Sequence, residues 1–483
     1  QNRRRRAMEK ERRILVGALI SVSGILVVAY LRRKCGPKQG QRNLQEPPTC
    51  PGELPWLGHA LAYRHDPRNF MLGHAGLGLF RLNLAGLRMT VVAGREEMAQ
   101  VVNAPESILS SKEATADFGF AWTLGQLNVF TGTDFHRRIL KQRGFSTSAD
   151  ELSMKEAVAE AISAAFSKER IIITDFLKTM RRIMLHAVVT HLLGTQLLKA
   201  YHDQGSDFLD DFMHLQDCIE DATAKGVALP RLLSWFLIWL PVFRLRKRVQ
   251  AKLDRALNVW PASAKKGVWL QAATSDVGRP ANEHAELIIG LLFAAHKNPA
   301  IGAAQTLLLL LEHPKELEKA VIGDRVFSEF VMRSIKETLR LTAHTIGAIR
   351  KVVSSDFYIK SHGSMYVVPH GQYVVVSHLL PNLDPSDFPS PDSFQPDRFA
   401  ENSFDDFSFT TFSQGLHRCP GRFYALDLMK LVVCELLATF QLSLPRPDLL
   451  GLLDFTRATL AQRAGKCEVE IRPRLQMLEV MQC

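Results

Sequence analysis

The sequence of Phe412–Gly421 is Phe-Ser-Gln-Gly-Leu-His-Arg-Cys-Pro-Gly, and this stretch decides how the rest of the chain is interpreted. It places one cysteine among glycines and cationic side chains, an arrangement suited to presenting a thiolate to a metal. Gly415 and Gly421 let the backbone wrap close to the sulfur, while Pro420 stiffens the turn. An apolar helical pattern follows at 422–440, and the positive end of such a helix favours an anionic sulfur.

A buried structural cysteine in a glycine-rich turn is the simpler interpretation of Cys419. The pattern Phe-x-x-Gly-x-His-x-Cys-x-Gly, however, resembles the heme-thiolate signature of the cytochrome P450 superfamily. The resemblance implies heme b as cofactor, with Cys419 as the axial ligand of the iron. It also implies that Phe412, Gly415, His417 and Gly421 surround the cofactor, His417 facing a heme propionate unless it is exposed to solvent.

Two further landmarks of that family stand upstream in the expected order. Glu337 and Arg340 form a Glu-x-x-Arg pair one helical turn apart, which alone indicates only a weak surface ion pair. In the family, this pair and a later arginine, here Arg398, form a buried network that holds the segment carrying the thiolate. Arg350 occupies the place where sterol 14-demethylases put a cation against a heme propionate, with solvent exposure as the alternative.

The apolar run His284–Glu312 predicts one long helix, which Pro299 should bend near Ala295. In the resembled family this helix crosses the distal heme face and carries an acid and an alcohol that deliver protons. The matching positions hold Lys297 and Asn298, which are therefore the candidate catalytic residues in place of the usual pair. An asparagine here resembles cholesterol 7-alpha-hydroxylase and prostacyclin synthase; alternatively, Asn298 satisfies a backbone group freed by Pro299.

The amino-terminal part of the chain contains eighteen consecutive uncharged residues at 14–31, about one bilayer core at the helical rise of about 1.5 Å per residue. We predict a basic flank at 1–13 and a transmembrane anchor at 14–31, with a cleaved signal peptide as the alternative. A hinge rich in proline and glycine at 32–58 then leads to a heme-thiolate catalytic domain at 59–483. The distribution of positive charges alone would place the amino terminus in the cytosol. The resemblance implies the opposite orientation, with the catalytic domain in the cytosol, so the orientation of the anchor stays open.

Composition sets broader limits. The chain has 483 residues, 46% of them apolar and 23% charged, which suits a globular protein with a large core. Its seven cysteines are scattered without paired spacing, so we expect no disulfide framework and a reducing compartment. The net charge of +11 arises partly from two clusters of basic residues. Each cluster forms either a solvated face or a surface that attracts an acidic electron donor. Nucleic-acid binding is not expected, because no recognised nucleic-acid-binding fold accompanies the clusters. These clusters are Arg137, Arg138, Lys141 and Arg143, and Arg418, Arg422 and Lys430.

One short segment, Leu232–Val242, is strongly apolar and is followed by several basic residues. It is too short to span a bilayer. The sequence leaves two interpretations open, a buried helix end or a surface loop that enters lipid near a substrate entrance.

Taken together, the resemblance implies a mainly α protein with a smaller β region, in the cytochrome P450 fold, behind one transmembrane helix. It implies a monooxygenase of the endoplasmic reticulum membrane that hydroxylates a sterol or other lipid with O2 and electrons from an NADPH-dependent reductase. The missing acid and alcohol favour one alternative, an isomerase or dehydratase that rearranges a lipid peroxide without a reductase. A non-catalytic heme- or lipid-binding protein is the second alternative, because Leu140 stands where the family has a propionate arginine.

Overall fold

The computed structural model describes residues 45–474, except 129, 131–134, 137, 139–147, 167–168, 227–228, 230, 260–264, 276–278, 324 and 402–403. The predicted basic flank, the predicted anchor at 14–31 and the hinge as far as residue 44 lie outside these residues.

Helices dominate the structure, with 54% helix and 15% strand, and this confirms the predicted mainly α class. The helices are α1 (Ala60–His65), α2 (Pro67–Leu72), α3 (Arg95–Val102), α4 (Ser111–Asp117), α5 (Phe120–Thr123), α6 (Ser148–Ala165), α7 (Phe176–Leu192), α8 (Gln196–His202), α9 (Phe208–Gly226), α10 (Arg231–Ser234), α11 (Leu240–Asn258), α12 (Val268–Ala273), α13 (His284–Ala295), α14 (Lys297–Glu312), α15 (Pro314–Ala320), α16 (Ser328–Leu341), α17 (Leu379–Asn382), α18 (Arg398–Glu401) and α19 (Arg422–Thr439).

The largest sheet has five strands in the order β1 (Leu79–Leu84), β2 (Leu87–Val92), β10 (Tyr373–Val376), β7 (Ala348–Val352) and β3 (Leu109–Ser110). Its first two strands form a hairpin, and the turn between them has positive φ at Ala85 and Gly86, which matches the right-handed twist of the strands. Strand β10 pairs parallel to β2 and antiparallel to β7, so that Arg350 lies opposite Val374 inside the sheet. The strands are β1 (Leu79–Leu84), β2 (Leu87–Val92), β3 (Leu109–Ser110), β4 (Ile171–Ile173), β5 (Val321–Ile322), β6 (Arg325–Val326), β7 (Ala348–Val352), β8 (Asp356–Ser361), β9 (Ser364–Pro369), β10 (Tyr373–Val376), β11 (Phe440–Ser443), β12 (Leu453–Asp454), β13 (Gln462–Arg463) and β14 (Val469–Pro473).

The long apolar helix predicted at 284–312 is divided into α13 and α14 at His296. Pro299 has no N–H to donate to the carbonyl of Ala295, so the helix cannot continue regularly there. Helix α14 then packs closely on α19, because a Cβ at Gly302 would lie 2.7 Å from the sulfur of Met429. The predicted break near Ala295 is confirmed.

By length and composition, one helical stretch of the described residues, Ala281–Glu312, could cross a membrane. Its most apolar window is 78% buried inside the protein. Such burial is typical of the central helix in a packed helical domain.

Residues 45–58, the described part of the predicted hinge, lie against the large sheet. The Cys50 N–H donates to the carbonyl of Arg81 at 3.1 Å, and Gly58 forms a bridge with Leu84. Cys50 itself is buried in a cluster with Phe80 and Leu82. This part of the segment is therefore packed with the catalytic domain.

The apolar segment Leu232–Val242 is helical, not a loop. Helix α10 continues into a π-helix at Trp235–Trp239 and then into α11. Trp239 is buried, whereas Leu232 and Leu237 are 70% and 66% exposed. The segment therefore has one buried side and one exposed apolar side. The buried-helix interpretation describes the first side, and the interpretation as a surface that enters lipid describes the second.

Candidate active site

The loop that carries Cys419 lies between a 3-10 turn at Gly415–His417 and the start of α19. The Cys419 N–H donates to the carbonyl of Phe412 at 2.8 Å. Burial raises the pKa of the Cys419 thiol, while the Gly421 N–H at the sulfur and the Arg422 charge act in the opposite direction. A sulfur in this position needs a further positive charge, such as a metal ion, to remain a thiolate at neutral pH.

The glycines of this loop have different functions. Gly415 has a φ of +60°, and an added Cβ would lie 2.5 Å from the carbonyl oxygen of Val102 on α3. Gly421 has an ordinary φ of −92°, and an added Cβ would meet no described atom within 4 Å, so this residue contributes its N–H. Ser413 has a φ of +57°, a conformation that strains a residue with a side chain.

A buried charge network joins two segments of the chain that precede this loop. Glu337 on α16 is not exposed to solvent, and both of its oxygens accept hydrogen bonds from Arg340 at 2.8 Å. Arg398 donates to the same carboxylate at 3.0 Å, as does the Gln395 N–H. Phe388 contacts both guanidinium groups. The three residues assigned from the resemblance are thus in direct contact.

Asn382 connects that network to the cysteine loop. Its carbonyl accepts a hydrogen bond from Arg340 at 2.8 Å. Its side-chain oxygen accepts the Thr410 N–H at 2.8 Å, and its amide donates to the Thr411 hydroxyl at 2.9 Å. Because Thr411 is followed directly by Phe412, the buried ions are linked through one residue, by its backbone carbonyl and its side chain, to the loop that presents the sulfur.

Arg350 and His417 both interact electrostatically with Glu106. Arg350 is only 4% exposed, and its Nε and Nη2 have no hydrogen-bond partner among the described residues. Burial lowers the pKa of Arg350 to about 10, while Glu106 acts to raise it. His417 Nε2 lies 3.2 Å from a Glu106 oxygen. A buried guanidinium with unused donors is suited to a further anion.

Lys297 is buried at the start of α14 and its ammonium group contacts two carboxylates on α9. It donates to Asp217 at 2.8 Å and also to Glu220. Arg181 on α7 binds Asp217 with both terminal nitrogens, at 2.9 and 3.1 Å. Burial opposes ionisation of Asp217, but Arg181 and Lys297 outweigh it and lower the pKa of this carboxyl. Lys297 therefore ties the distal helix to its neighbours.

Asn298 contacts a different part of the chain. Its side-chain oxygen accepts the N–H of Leu460 at 3.2 Å. The sequence left open a bond to a backbone group freed by Pro299, but the bond observed here joins α14 to the segment before β13. Lys297 contacts α9, whereas Asn298 contacts the segment before β13. These two adjacent residues therefore attach α14 to two different parts of the chain.

The sequence matches the profile of the family described as Cytochrome P450 over residues 47–462. The chain belongs to this family. A cytochrome P450 binds heme b through a cysteine thiolate, and the enzyme is a monooxygenase, as the resemblance implied.

Three relatives align over nearly their whole length with this P450. The 7-alpha-hydroxycholest-4-en-3-one 12-alpha-hydroxylase of Homo sapiens is 26% identical and covers 90% of this chain and 93% of its own. The 24-hydroxycholesterol 7-alpha-hydroxylase of Mus musculus is 25% identical, over 90% and 94%. The sterol 14-demethylase of Arabidopsis thaliana is 24% identical, over 91% and 94%. The resemblance to this group of P450s is thereby confirmed.

The residues of this P450 fit a heme. Arg350 has unused, buried guanidinium donors, which match an anionic propionate, and His417 is close by. The other propionate arginine that the resemblance implies falls at Leu140, which lies outside the described residues. His136, before it, is stacked on Trp269 with 5.6 Å between ring centroids.

Several residues of the site were not predicted from the sequence. Glu106 and Asn382 each contact predicted residues, and Asp217 and Glu220 neutralise Lys297. A buried lysine in an apolar helix should have indicated carboxylate partners, but not where they lie in the chain. Asn382 stands between two prolines, and no sequence pattern marks it for this role.

We expect Gly415→Ala to destabilise the cysteine loop by about 1–3 kcal/mol, because Ala must adopt positive φ while its Cβ meets the Val102 carbonyl. Ser413→Gly, one turn away, should instead stabilise the protein by about 1 kcal/mol. Thermal unfolding and the carbon monoxide difference spectrum of each variant test this. Equal heme loading and stability in Gly415→Ala would contradict the close contact.

Asn382→Ala should lower heme retention although Asn382 is not part of the cysteine loop. The substitution leaves the buried Thr410 N–H without its acceptor, which costs about 1–3 kcal/mol. The rate of heme transfer to apomyoglobin measures the effect. Asn103→Ala is the matched control, because the Asn103 side chain only caps its own helix through the Ala99 carbonyl.

Proposed function

We propose that this cytochrome P450 hydroxylates a sterol or other lipid, with O2 and with electrons from an NADPH-dependent reductase. The names of the three relatives, each of which acts on a sterol or a sterol derivative, support the substrate class. The observation that carries the proposal is the presentation of Cys419 with an N–H directed at its sulfur. The buried guanidinium of Arg350, which has unused donors, supports it independently.

In this proposal the Cys419 thiolate would bind the heme iron, and Arg350 and His417 would hold the propionates. Heme bound in this way supplies O2 activation for insertion of oxygen into a C–H bond. Gly421 directs its N–H at the sulfur, and Phe412 shields the loop as part of an aromatic cluster with Phe409. The Glu337 network keeps the loop in position without touching the reacting atoms.

On the distal side, Lys297 and Asn298 occupy the positions where the resemblance implies an acid and an alcohol that deliver protons. The amide of Asn298 can donate and accept hydrogen bonds but has no labile proton near neutral pH. Lys297 is bound to carboxylates of α9, of which Asp217 is about half exposed to water. We infer that protons enter from this ionic cluster rather than from a carboxylate on α14 itself.

The proposed setting is the endoplasmic reticulum membrane, with residues 14–31 as anchor and the catalytic domain in the cytosol. The exposed apolar side of α10 and the π-helix supports contact with lipid, since Leu232, Leu233, Phe236 and Leu237 share it. The reductase would approach the basic residues around the cysteine loop. Two of these are partly neutralised, because Arg418 pairs with Asp406 and Lys430 with Asp427, so that this face is less positive than the sequence indicates.

Isotopically labelled O2 tests the proposed reaction. With NADPH and reductase present, we expect one labelled oxygen in a product of cholest-4-en-3-one, and no labelled product without NADPH. Cys419→Ser should be folded but inactive. Rearrangement of a lipid hydroperoxide to an unlabelled product without reductase would instead assign the protein to the isomerase class. Heme loading without turnover of any substrate would identify it as a binding protein.

Asn298→Thr should change the fraction of consumed O2 that appears in product, while heme content stays within about 10–20% of the wild type. The threonine supplies a hydroxyl but loses the bond to the Leu460 N–H. Asn298→Ala loses the same bond without adding a hydroxyl, and therefore separates the two effects. If the threonine and alanine variants show the same coupling, Asn298 acts only through its contact with Leu460.

A further inference from the structure

Glu106 is the carboxylate that interacts with both cations assigned to the heme propionates, and its own position is fixed at the start of α4. One of its oxygens accepts the Ser111 N–H at 3.1 Å and also the Ser111 hydroxyl. The other oxygen accepts the Ser110 hydroxyl at 2.8 Å, and Ser110 in turn caps α4 by accepting the Glu113 N–H at 2.9 Å. The carboxylate is therefore held at both oxygens by its own segment.

The segment that carries Glu106 joins the strand of Arg350 to the cysteine loop. Three residues after Glu106, β3 begins and pairs antiparallel with β7, the strand that carries Arg350. Four residues before Glu106, the Val102 carbonyl oxygen at the end of α3 would lie 2.5 Å from a Cβ at Gly415 of the cysteine loop. Glu106 is thus fixed relative to the sheet on one side and to the cysteine loop on the other.

Two cations share this carboxylate. His417 Nε2 lies 3.2 Å from the Glu106 oxygen that also binds Ser111. Arg350 is buried on β7, where it interacts with the Glu106 charge and donates from Nη1 to a backbone carbonyl at 3.1 Å. Burial opposes the ionisation of Glu106, but its hydrogen bonds outweigh burial and lower the pKa of the carboxyl. Glu106 is therefore an anion at neutral pH.

The interaction with Glu106 leaves room for the propionates at Arg350. Among the described residues, none accepts a hydrogen bond from Nε or Nη2 of Arg350. Two propionates would add two anions beside the same two cations, and the free donors of Arg350 are suited to one of them. Glu106 does not compete for these donors, so it can stay in place when the cofactor binds.

Glu106 also borders a surface cleft of about 640 Å³. Its side chain is 34% exposed, whereas Arg350 is only 4% exposed. Charges on the water side of such a cleft are screened, while a charge that faces a buried guanidinium is screened much less. Four other ionisable side chains line the same cleft, Lys112, Glu113, Lys351 and His370.

We infer that Glu106 is a positioning residue of the heme site, whose carboxylate orients Arg350 and His417 toward the propionates and whose charge favours ferric over ferrous iron. The inference rests on the proposal that these two cations hold the propionates, and it is independent of the substrate. Reduction adds an electron to the heme, and a fixed anion nearby opposes the added negative charge. Burial and local charge are among the features that set a heme potential.

The reduction potential of the heme-loaded protein, measured by spectroelectrochemical titration without substrate, tests the charge. Glu106→Gln keeps an oxygen for the serine hydroxyls and should shift the equilibrium about five- to tenfold toward ferrous heme. Glu106→Asp keeps the charge and should stay within about twofold of the wild type. Glu113→Gln, which removes the other carboxylate of the cleft, is the matched control. A Glu106→Gln potential equal to that of this control overturns the inference.

Transfer of heme to apomyoglobin tests the positioning. Glu106→Ala removes the hydrogen bonds as well as the charge, and should speed heme transfer about tenfold relative to Glu106→Gln. Arg350→Gln should also speed transfer. Adding Glu106→Ala to Arg350→Gln should then have a smaller further effect, because one of the two positioned cations is already lost. Full additivity of the two substitutions contradicts positioning through Arg350.

Neither measurement includes a substrate, so the inference and the proposed function fail separately. A wild-type protein that loads heme but oxidises no sterol refutes the proposed substrate class, and Glu106 is then judged by the potential and by heme transfer alone. If Glu106→Ala does not fold, Glu106→Gln and Glu106→Asp decide through the potential. Unchanged potential and unchanged heme transfer in the folded variants overturn the assignment of Glu106.

Discussion

Glu337 carries a negative charge with no exposure to water, and the position of the cysteine loop depends on keeping that charge neutralised. Arg340 and Arg398 do so from two different segments, and removing one partner of such a buried pair typically costs about 3–5 kcal/mol. The network therefore fixes α16 and the segment around Arg398 relative to each other. Asn382 passes this constraint to the threonines before Phe412, so that the sulfur is held by ions that it does not touch.

The same rule explains the charges on the distal side. A lysine in the apolar run of α13 and α14 is tolerated only because Asp217 and Glu220 face it from α9. The resemblance led us to expect an acid at this position, whereas this chain has a cation there and the facing helix supplies its two anionic partners. A buried charge of either sign is compatible with the contact between the helices, provided that the facing helix carries the opposite charge.

Local patterns in the sequence predicted local features of the structure. The Glu337–Arg340 contact follows from residues three apart on a helix, and the break near Ala295 follows from Pro299. Local patterns predicted none of the contacts between distant residues, and the family resemblance supplied one of them, between Glu337 and Arg398. Leu127 and Glu286 are 159 residues apart, and Asn382 lies 28 residues before Thr410. No spacing rule relates such pairs, because the fold alone brings them together.

The break at His296 separates two tasks that one continuous helix would have to share. Helix α13 is fixed through Glu286, which pairs with Arg246 of α11 and accepts the Leu127 N–H, while α14 packs on α19 where Gly302 meets Met429. Lys297, at the start of α14, pairs with two carboxylates of α9. Each segment therefore has its own buried ion pair with a different neighbouring helix. A substitution in one of these ion pairs leaves the partners of the other in place.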